Sequence, residues 1–318
     1  MNIEELLRET LSDMARQEEP PPPGRFLRAG TSRSPRWGLA LAAAAVTVMV
    51  VATTLVVEGL STRRAAPGGL TGQGTGEWLA DTGQGRRPLT VQEGQRLSQI
   101  LDQLSRVTGK PLKEFVRAAK DGDALGLPAY AKGAPEGFLF PSTYEVSPRS
   151  GPHELLAAMV ARFNRAAEDT GLVEGARRMG RTPLEIVTVA SIVQAESARE
   201  RDMPKIARVI YNRLDATPRM RLQLDSTVMY GLGKYGARAS DKDLTSRSRY
   251  NTYTHLGLPP GSIGSPGEDA IRAALHPATG PWLYFVTTDP RRAVTKFAAS
   301  EREFFELVEE HRKNLRSR

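Results

Sequence analysis

The spacing of apolar and polar positions changes several times along the chain. From Trp37 to Val57 runs a 21-residue charge-free stretch, WGLALAAAAVTVMVVATTLVV. At about 1.5 Å of rise per residue it is long enough to cross a hydrocarbon core of roughly 30 Å, so it predicts one membrane-spanning helix. Arg25, Arg28, Arg33 and Arg36 crowd its N-terminal side, whereas Arg63 and Arg64 follow it. That basic excess predicts a cytoplasmic tail over residues 1–36 and an extracytoplasmic C-terminal portion. A removable signal peptide carries a shorter apolar region, about 7 to 15 residues, so the pattern favours a retained anchor. Residues 58–87 hold Gly68, Gly69, Gly72, Gly74, Gly76, Gly83 and Gly85 among Ser, Thr and Gln, the composition of a flexible linker.

Ordered periodicity begins at Leu89. Leu89-Thr90-Val91 predicts a short strand, Glu93-Gly94 a turn, and Leu97, Ile100, Leu101 and Leu104 a helix. Pro111 sits where a first helical residue is tolerated, and Leu112, Phe115 and Val116 repeat as the apolar face of a second helix. The order strand, helix, helix marks residues 88–135 as a small first module, leaving residues 136–318 as a second domain. Near the C-terminus, Phe304, Phe305, Leu307 and Val308 predict an amphipathic closing helix over Ser300 to Asn314.

The most complete local signal lies between Arg181 and Leu214. Thr182 can cap a helix, Pro183 suits its first turn, and Glu185 stands three residues after Thr182 as a capping box requires. Along that helix Ile186, Val189, Ile192 and Val193 fall on one face, and Glu196 continues the same stripe. A carboxyl on an apolar stripe either pairs with a cation or holds its proton near neutrality, as a general acid needs. Arg199 and Arg201 are close enough in sequence to offer the first alternative, and periodicity leaves both open.

Composition narrows the chemistry further. The chain has 318 residues, no cysteine, and 44 Lys and Arg against 36 Asp and Glu, a formal charge of +8. The missing cysteines exclude disulfides, CxxC zinc sites and thiol nucleophiles. His153, His255, His276 and His311 form no HExxH or i, i+4 pair, so no metal or cofactor is expected; His276 is expected to hydrogen-bond in the core. No GxSxG elbow is present either. A positive charge suits an anionic partner, and export removes nucleic acid from that role, leaving wall polymer or lipid headgroups.

Several blocks together resemble the YceG-like family of endolytic murein transglycosylases. They are EGFLFPSTYEV from Glu136, ASIVQAES from Ala190, the helix bearing Asn212-Arg213-Leu214, RLQLDSTVMYGLG from Arg221, YNTYTHLGLPPGSIGSPG from Tyr250 and AALHPATGPWLYFV from Ala273. They occur in the family's order and cover about Leu89 to Asn314. The first module, for its part, resembles a LysM module, a binder of glycan chains; its bland alternative is a helical hairpin buttressing the next domain.

The resemblance implies an α+β architecture: a single N-terminal transmembrane helix, a small LysM-like module, and a YceG-like catalytic domain whose catalytic helix is lysozyme-like. It makes Glu196 the catalytic acid. Many family members carry a glutamate at the position of Gln194, and with glutamine there only Glu196 remains in the block. Gln223, Asp225, Ser226, Tyr250, Asn251, Thr252 and Tyr253 become the candidate substrate-binding residues. The plain reading of Asp225 is a cap for a helix starting near Ser226, and that of one of the two tyrosines is core packing. Gly257, Pro259, Pro260 and Gly261 form a rigid turn, and Glu136 reads as a hinge or an interdomain ion-pair partner.

The implied substrate is the glycan strand of peptidoglycan, cut between N-acetylmuramic acid and N-acetylglucosamine to leave a 1,6-anhydro end, with peptidoglycan synthases as partners. Two alternatives stay open: a hydrolytic muramidase using Glu196 with Asp225 or Glu200, and a non-catalytic glycan-binding anchor.

Overall fold

The computed structural model describes residues 87–236 and 238–316. The predicted tail, the membrane helix Trp37 to Val57 and nearly all of the linker lie outside the described residues. The described part begins with strand β1 (Arg87–Val91), then helices α1 (Leu97–Thr108) and α2 (Leu112–Ala118). Gly109, at φ +71°, ends α1 in the left-handed conformation that glycine adopts without steric cost.

Strand β2 (Ser142–Val146) then pairs antiparallel with β1, Leu89 opposite Tyr144 and Val91 opposite Ser142. This second strand lies past residue 135, and so does much of the core beneath the sheet. Leu89, Val91, Ile100, Leu104 and Phe115 pack with Leu155, Leu156, Met159 and Val160 of helix α3 (Pro152–Asp169). The helical repeat predicted for α2 turns inward only in part: Phe115 is fully buried, whereas Leu112 and Val116 remain exposed. Seven residues make two turns, too few to bury a whole apolar stripe against one neighbour.

After α3 come α4 (Leu172–Arg178), α5 (Pro183–Glu196), α6 (Met203–Asp215), α7 (Asp225–Gly231), α8 (Asp241–Leu244) and α9 (Glu268–Leu275). Strands β3 (Tyr284–Asp289) and β4 (Val294–Ala298) form a second antiparallel pair, and α10 (Glu301–Arg316) closes the chain. Two separate two-stranded sheets among helices give the α+β arrangement expected.

Helix α5 is the axis of the larger core. Its capping box forms as predicted: Thr182 Oγ1 accepts the Glu185 amide at 3.2 Å, and Glu185 Oε2 accepts the Thr182 amide at 2.7 Å. We expect Thr182→Ala to cost about 1 kcal/mol, read as a lower midpoint in chemical denaturation. The single apolar face predicted for α5 is corrected by the structure, because every residue from Ile186 to Val193 is buried. Helices α4, α6, α7 and α9 pack around it, so a solvent face opens only in its last turn, where Ala195 is exposed and Gln194 and Glu196 are half-buried.

The histidine expectation is also corrected. His276 is exposed at the end of α9, and the core histidine is His311, whose Nδ1 lies 2.8 Å from the Thr287 carbonyl oxygen. The helix around it was expected over 300–314, and its Phe304, Leu307 and Val308 pack against Val286 of β3.

The backbone of the turn after β1 docks directly on the loop 264–265. The Gly94 amide donates to the Ser265 carbonyl at 2.7 Å, and the Ser265 amide to the Gln95 carbonyl at 2.8 Å. A side chain at Gly264 would place its Cβ 2.8 Å from the Gly94 oxygen, so this approach requires glycine. Glu136 joins the same junction as a buried strut: Oε1 accepts from the Leu97 amide and Oε2 from the Tyr230 hydroxyl, each at 2.9 Å. These hydrogen bonds replace the ion pair expected of it, and nearby Arg96 contributes only longer-range attraction.

Candidate active site

Glu196 ends α5, keeping part of its surface accessible while its carboxyl is desolvated by the surrounding core. Ser226, second residue of α7, donates its hydroxyl to Glu196 Oε1 at 2.6 Å. Burial pushes the Glu196 carboxyl up to about 7, and the negative charge of Asp225 adds to that, while the Ser226 hydroxyl and amide pull in the opposite direction. Near neutral pH the group is thus divided between acid and base forms, as a residue that first gives and then takes a proton requires. Arg199 donates instead to the Arg292 carbonyl, and among the described residues neither Arg199 nor Arg201 pairs with Glu196. The ion-pair alternative is therefore not realised.

Asp225 does not cap α7, since it is the helix's first residue. Its Oδ1 accepts the Tyr253 hydroxyl at 2.7 Å and its Oδ2 accepts the Ala239 amide at 3.1 Å. Burial raises its proton affinity, and those two donors oppose the rise. Both oxygens are committed, which leaves Asp225 as a fixed charge beside Glu196 more than a free base. Tyr253 is raised well above its ordinary range, first by burial and then by Asp225, so it stays a donor.

Of the other candidates, Asn251 and Thr252 are almost completely buried. Asn251 Nδ2 donates to the carbonyls of Leu244 and Ser246, and its Oδ1 accepts the Tyr253 amide at 2.9 Å. Thr252 Oγ1 accepts the Leu224 amide at 2.9 Å and lies 2.9 Å from Thr227 Oγ1. These two residues hold the 223–227 and 244–253 segments together and are not placed to touch a substrate. Gln223 adopts φ +51°, a left-handed conformation uncommon for a residue with a Cβ, and its amide donates to the Thr252 carbonyl. Its side-chain oxygen faces the Arg213 guanidinium at 3.4 Å. Tyr250 meets Tyr230 in a tilted contact with ring centres 4.8 Å apart and packs on the core, so it is the tyrosine given over to packing.

The structure thus brings Glu196, Asp225, Ser226 and Tyr253 into one cluster, and turns Gln223, Tyr250, Asn251 and Thr252 into its framework. The sequence also concealed a framework residue. Arg213 is buried on α6, where it donates to the carbonyls of Leu283 at 2.6 Å, Arg221 at 3.1 Å and Leu222 at 2.9 Å. Its neighbour Asn212 donates to the carbonyls of Gly280 and Trp282. Together they tie the segment entering α7 and the start of β3 to one helix. The signal available was an arginine among the buried positions of an amphipathic helix, where an unpartnered cation is too costly to persist.

Removing one donor tests how the cluster tunes the acid. In Ser226→Ala the carboxylate loses stabilisation, so the alkaline limb of a pH–rate profile is expected to move to higher pH, with a maximal rate about tenfold lower from lost orientation. An unmoved limb would contradict the assignment of Ser226 to Glu196.

Known proteins resemble this chain over most of its described length. The YceG-like family model matches residues 69–316. The endolytic murein transglycosylase of Bacillus subtilis is 33% identical over 216 residues, covering 62% of this chain and 58% of the relative. That of Streptococcus pneumoniae serotype 2 is 29% identical over 248 residues, covering 70% and 44%. The chain therefore spans less than two thirds of the length of either relative. A solved structure of a YceG-like protein from Listeria monocytogenes superposes with a TM-score of 0.62 at 27% identity, covering 69% of this chain and 75% of that one.

Proposed function

Because the chain belongs to the YceG-like family, we propose that it is itself an endolytic murein transglycosylase with Glu196 as its single general acid and base. Protonated Glu196 gives its proton to the glycosidic oxygen linking N-acetylmuramic acid to N-acetylglucosamine, and the bond from that oxygen to the muramyl anomeric carbon breaks. The carboxylate then takes the proton of the muramyl 6-hydroxyl as O6 bonds to the same carbon, leaving a 1,6-anhydro end. The attacking hydroxyl is already on the substrate, so proximity replaces a positioned water and no second catalytic carboxylate is required.

The observation that carries this mechanism is the pairing of one desolvated carboxyl, Glu196, with a neighbouring Asp225 whose two oxygens are already occupied. A hydrolytic muramidase would need a free second carboxylate at about 5 to 9.5 Å. Asp225 is engaged and Glu200 is exposed on the turn after α5, which favours the transglycosylase. The distinguishing experiment is mass spectrometry of glycan fragments released by the full-length chain. Anhydro ends are expected; reducing ends, heavier by one water, would establish the hydrolase, and no fragments at all would establish the glycan-binding anchor.

The same proposal takes Trp37 to Val57 as a retained anchor in the cell membrane, with the N-terminus cytoplasmic and the enzyme acting on nascent strands beside peptidoglycan synthases. The charge-free length and flanking arginines support the anchor. A glycan-binding role for the LysM-like module is supported by its strand–helix–helix order and by its position against the loop 264–267.

A further inference from the structure

Beyond Glu196 a polar track continues along one face of α7. Ser226 and Tyr230 are four residues apart on that helix, about 5–6 Å along it. Tyr230 packs against Tyr250 with the rings tilted at 52° and is hydrogen-bonded to Glu136, so its ring is fixed. Over it, at 5.2 Å from the ring centre, lies the guanidinium of Arg96, which also sits 4.6 Å from the ring centre of Tyr235. The Tyr235 residue is 56% exposed, yet its hydroxyl is held 2.9 Å from Ser98 Oγ. A flat aromatic surface and a cation are thus presented together, with little left to order on binding.

Arg96 has an unusual balance of contacts. Its guanidinium is partly desolvated, yet among the described residues it makes neither a hydrogen bond nor an ion pair through its side chain. The nearest carboxylate, Glu136, is already taken by the Leu97 amide and the Tyr230 hydroxyl. Five N–H donors in a planar fork therefore lie between two rings without a protein acceptor among the described residues, and such a fork matches a carboxylate in bidentate fashion. In a peptide-bearing strand the lactyl carboxyl of each muramyl residue is tied up as an amide and the carboxylates are carried on the stem peptides. An amidase frees a lactyl carboxylate beside each ring, so stripped strands separate recognition of a peptide carboxylate from recognition of one at the sugar.

We infer that Arg96, with Tyr230 and Tyr235, forms a subsite at the junction of the two modules that binds a carboxylate of a stem peptide on the strand being cut. Arg96 is then a specificity residue, selecting peptide-bearing stretches of glycan over stripped ones. This rests on the proposed substrate, and a binding measurement separates the two. Full-length Glu196→Gln protein would be titrated with labelled uncrosslinked strands, either bearing stem peptides or stripped of them by an amidase, alongside Glu196→Gln/Arg96→Met.

Arg96→Met is expected to weaken binding of peptide-bearing strands by roughly tenfold to a hundredfold and to leave stripped strands unaffected, consistent with loss of a charge-assisted hydrogen-bonded pair. Tyr235→Leu, which leaves the charge in place, is expected to produce a smaller loss on the same strands. Equal affinities of the Arg96→Met protein and its parent for peptide-bearing strands would overturn the subsite. So would equal losses on stripped strands, or no preference of the parent for peptides. Failure of the wild-type chain to cut strands that it binds with this preference would count against the transglycosylase reading alone.

Discussion

Glu196→Gln is expected to lower the rate of anhydro-end formation by at least about 10²- to 10⁴-fold while leaving glycan binding intact, because it preserves the shape of the side chain and removes only the transferable proton. The same substitution has an opposite effect on stability that depends on pH. In the folded protein the Glu196 carboxyl is raised to about 7 from its ordinary 4.5, first by burial and then by Asp225. Between those values the folded chain holds a proton that the unfolded chain releases, so stability falls as pH rises from about 4.5 to about 7 and then levels off. Glutamine cannot ionise and escapes this loss.

Melting curves should therefore show Glu196→Gln more stable than wild type at pH 8, by about 1–3 kcal/mol once partial exposure is allowed for, and nearly equal to it at pH 5. A structural ion-pair partner would behave in the reverse way. Its glutamine variant would be less stable at pH 8, and activity would fall only as far as folding did.

The largest effect on stability is expected away from the acid, at Arg213. Arg213→Met keeps the length of the aliphatic stem and removes a buried guanidinium bonded to three carbonyls. Those oxygens, drawn from the segment before α7 and from the residue before β3, are left without donors. The cost is expected at about 3–5 kcal/mol, which for a domain of this size lowers the melting temperature by roughly 10 °C. Arg213→Lys should recover only part of it, since an ammonium cannot serve carbonyls of two separate segments as the planar fork does. Equal stability of Arg213→Met and wild type would show that the two segments are held by other contacts.

What could be read in the sequence divides by the range of the physics involved. The capping box at Thr182 and Glu185 is a local exchange of hydrogen bonds over three residues, so its pattern was sufficient. Glu196 was singled out by its place beyond an apolar stripe and by the surrounding block. The reason it is desolvated is different, however: α5 is enclosed from Ile186 to Val193, and Glu196 lies in the last turn, where the helix leaves that core. The pairing of β1 with β2 joins Leu89 to Tyr144 across more than fifty residues, and no local period records such a partner.

Residue type revealed polarity without revealing direction. Asn251 and Thr252 have the chemistry of sugar ligands, yet their amide and hydroxyl are spent on backbone groups inside the fold. Ser226 and Asp225 both read as substrate contacts, Asp225 with a helix cap as its plain alternative; Ser226 donates to the acid, and Asp225, the first residue of α7, accepts from Tyr253 and Ala239. Arg213 and Arg96 carry the same side chain in different surroundings. One is consumed by carbonyls and the other has its donors open, a distinction visible only once the neighbours are in place.

The most direct measurement of the central claim is the pH dependence of kcat/KM for anhydro-end formation by the full-length chain, since that ratio reports ionisations of the free enzyme. If Glu196 acts as the desolvated acid, the ratio should fall on the alkaline side with a midpoint near pH 7, and the residual activity of Glu196→Gln should lack that limb. A wild-type profile without a limb near 7, or a limb that persists unchanged in Glu196→Gln, would contradict Glu196 as the proton donor.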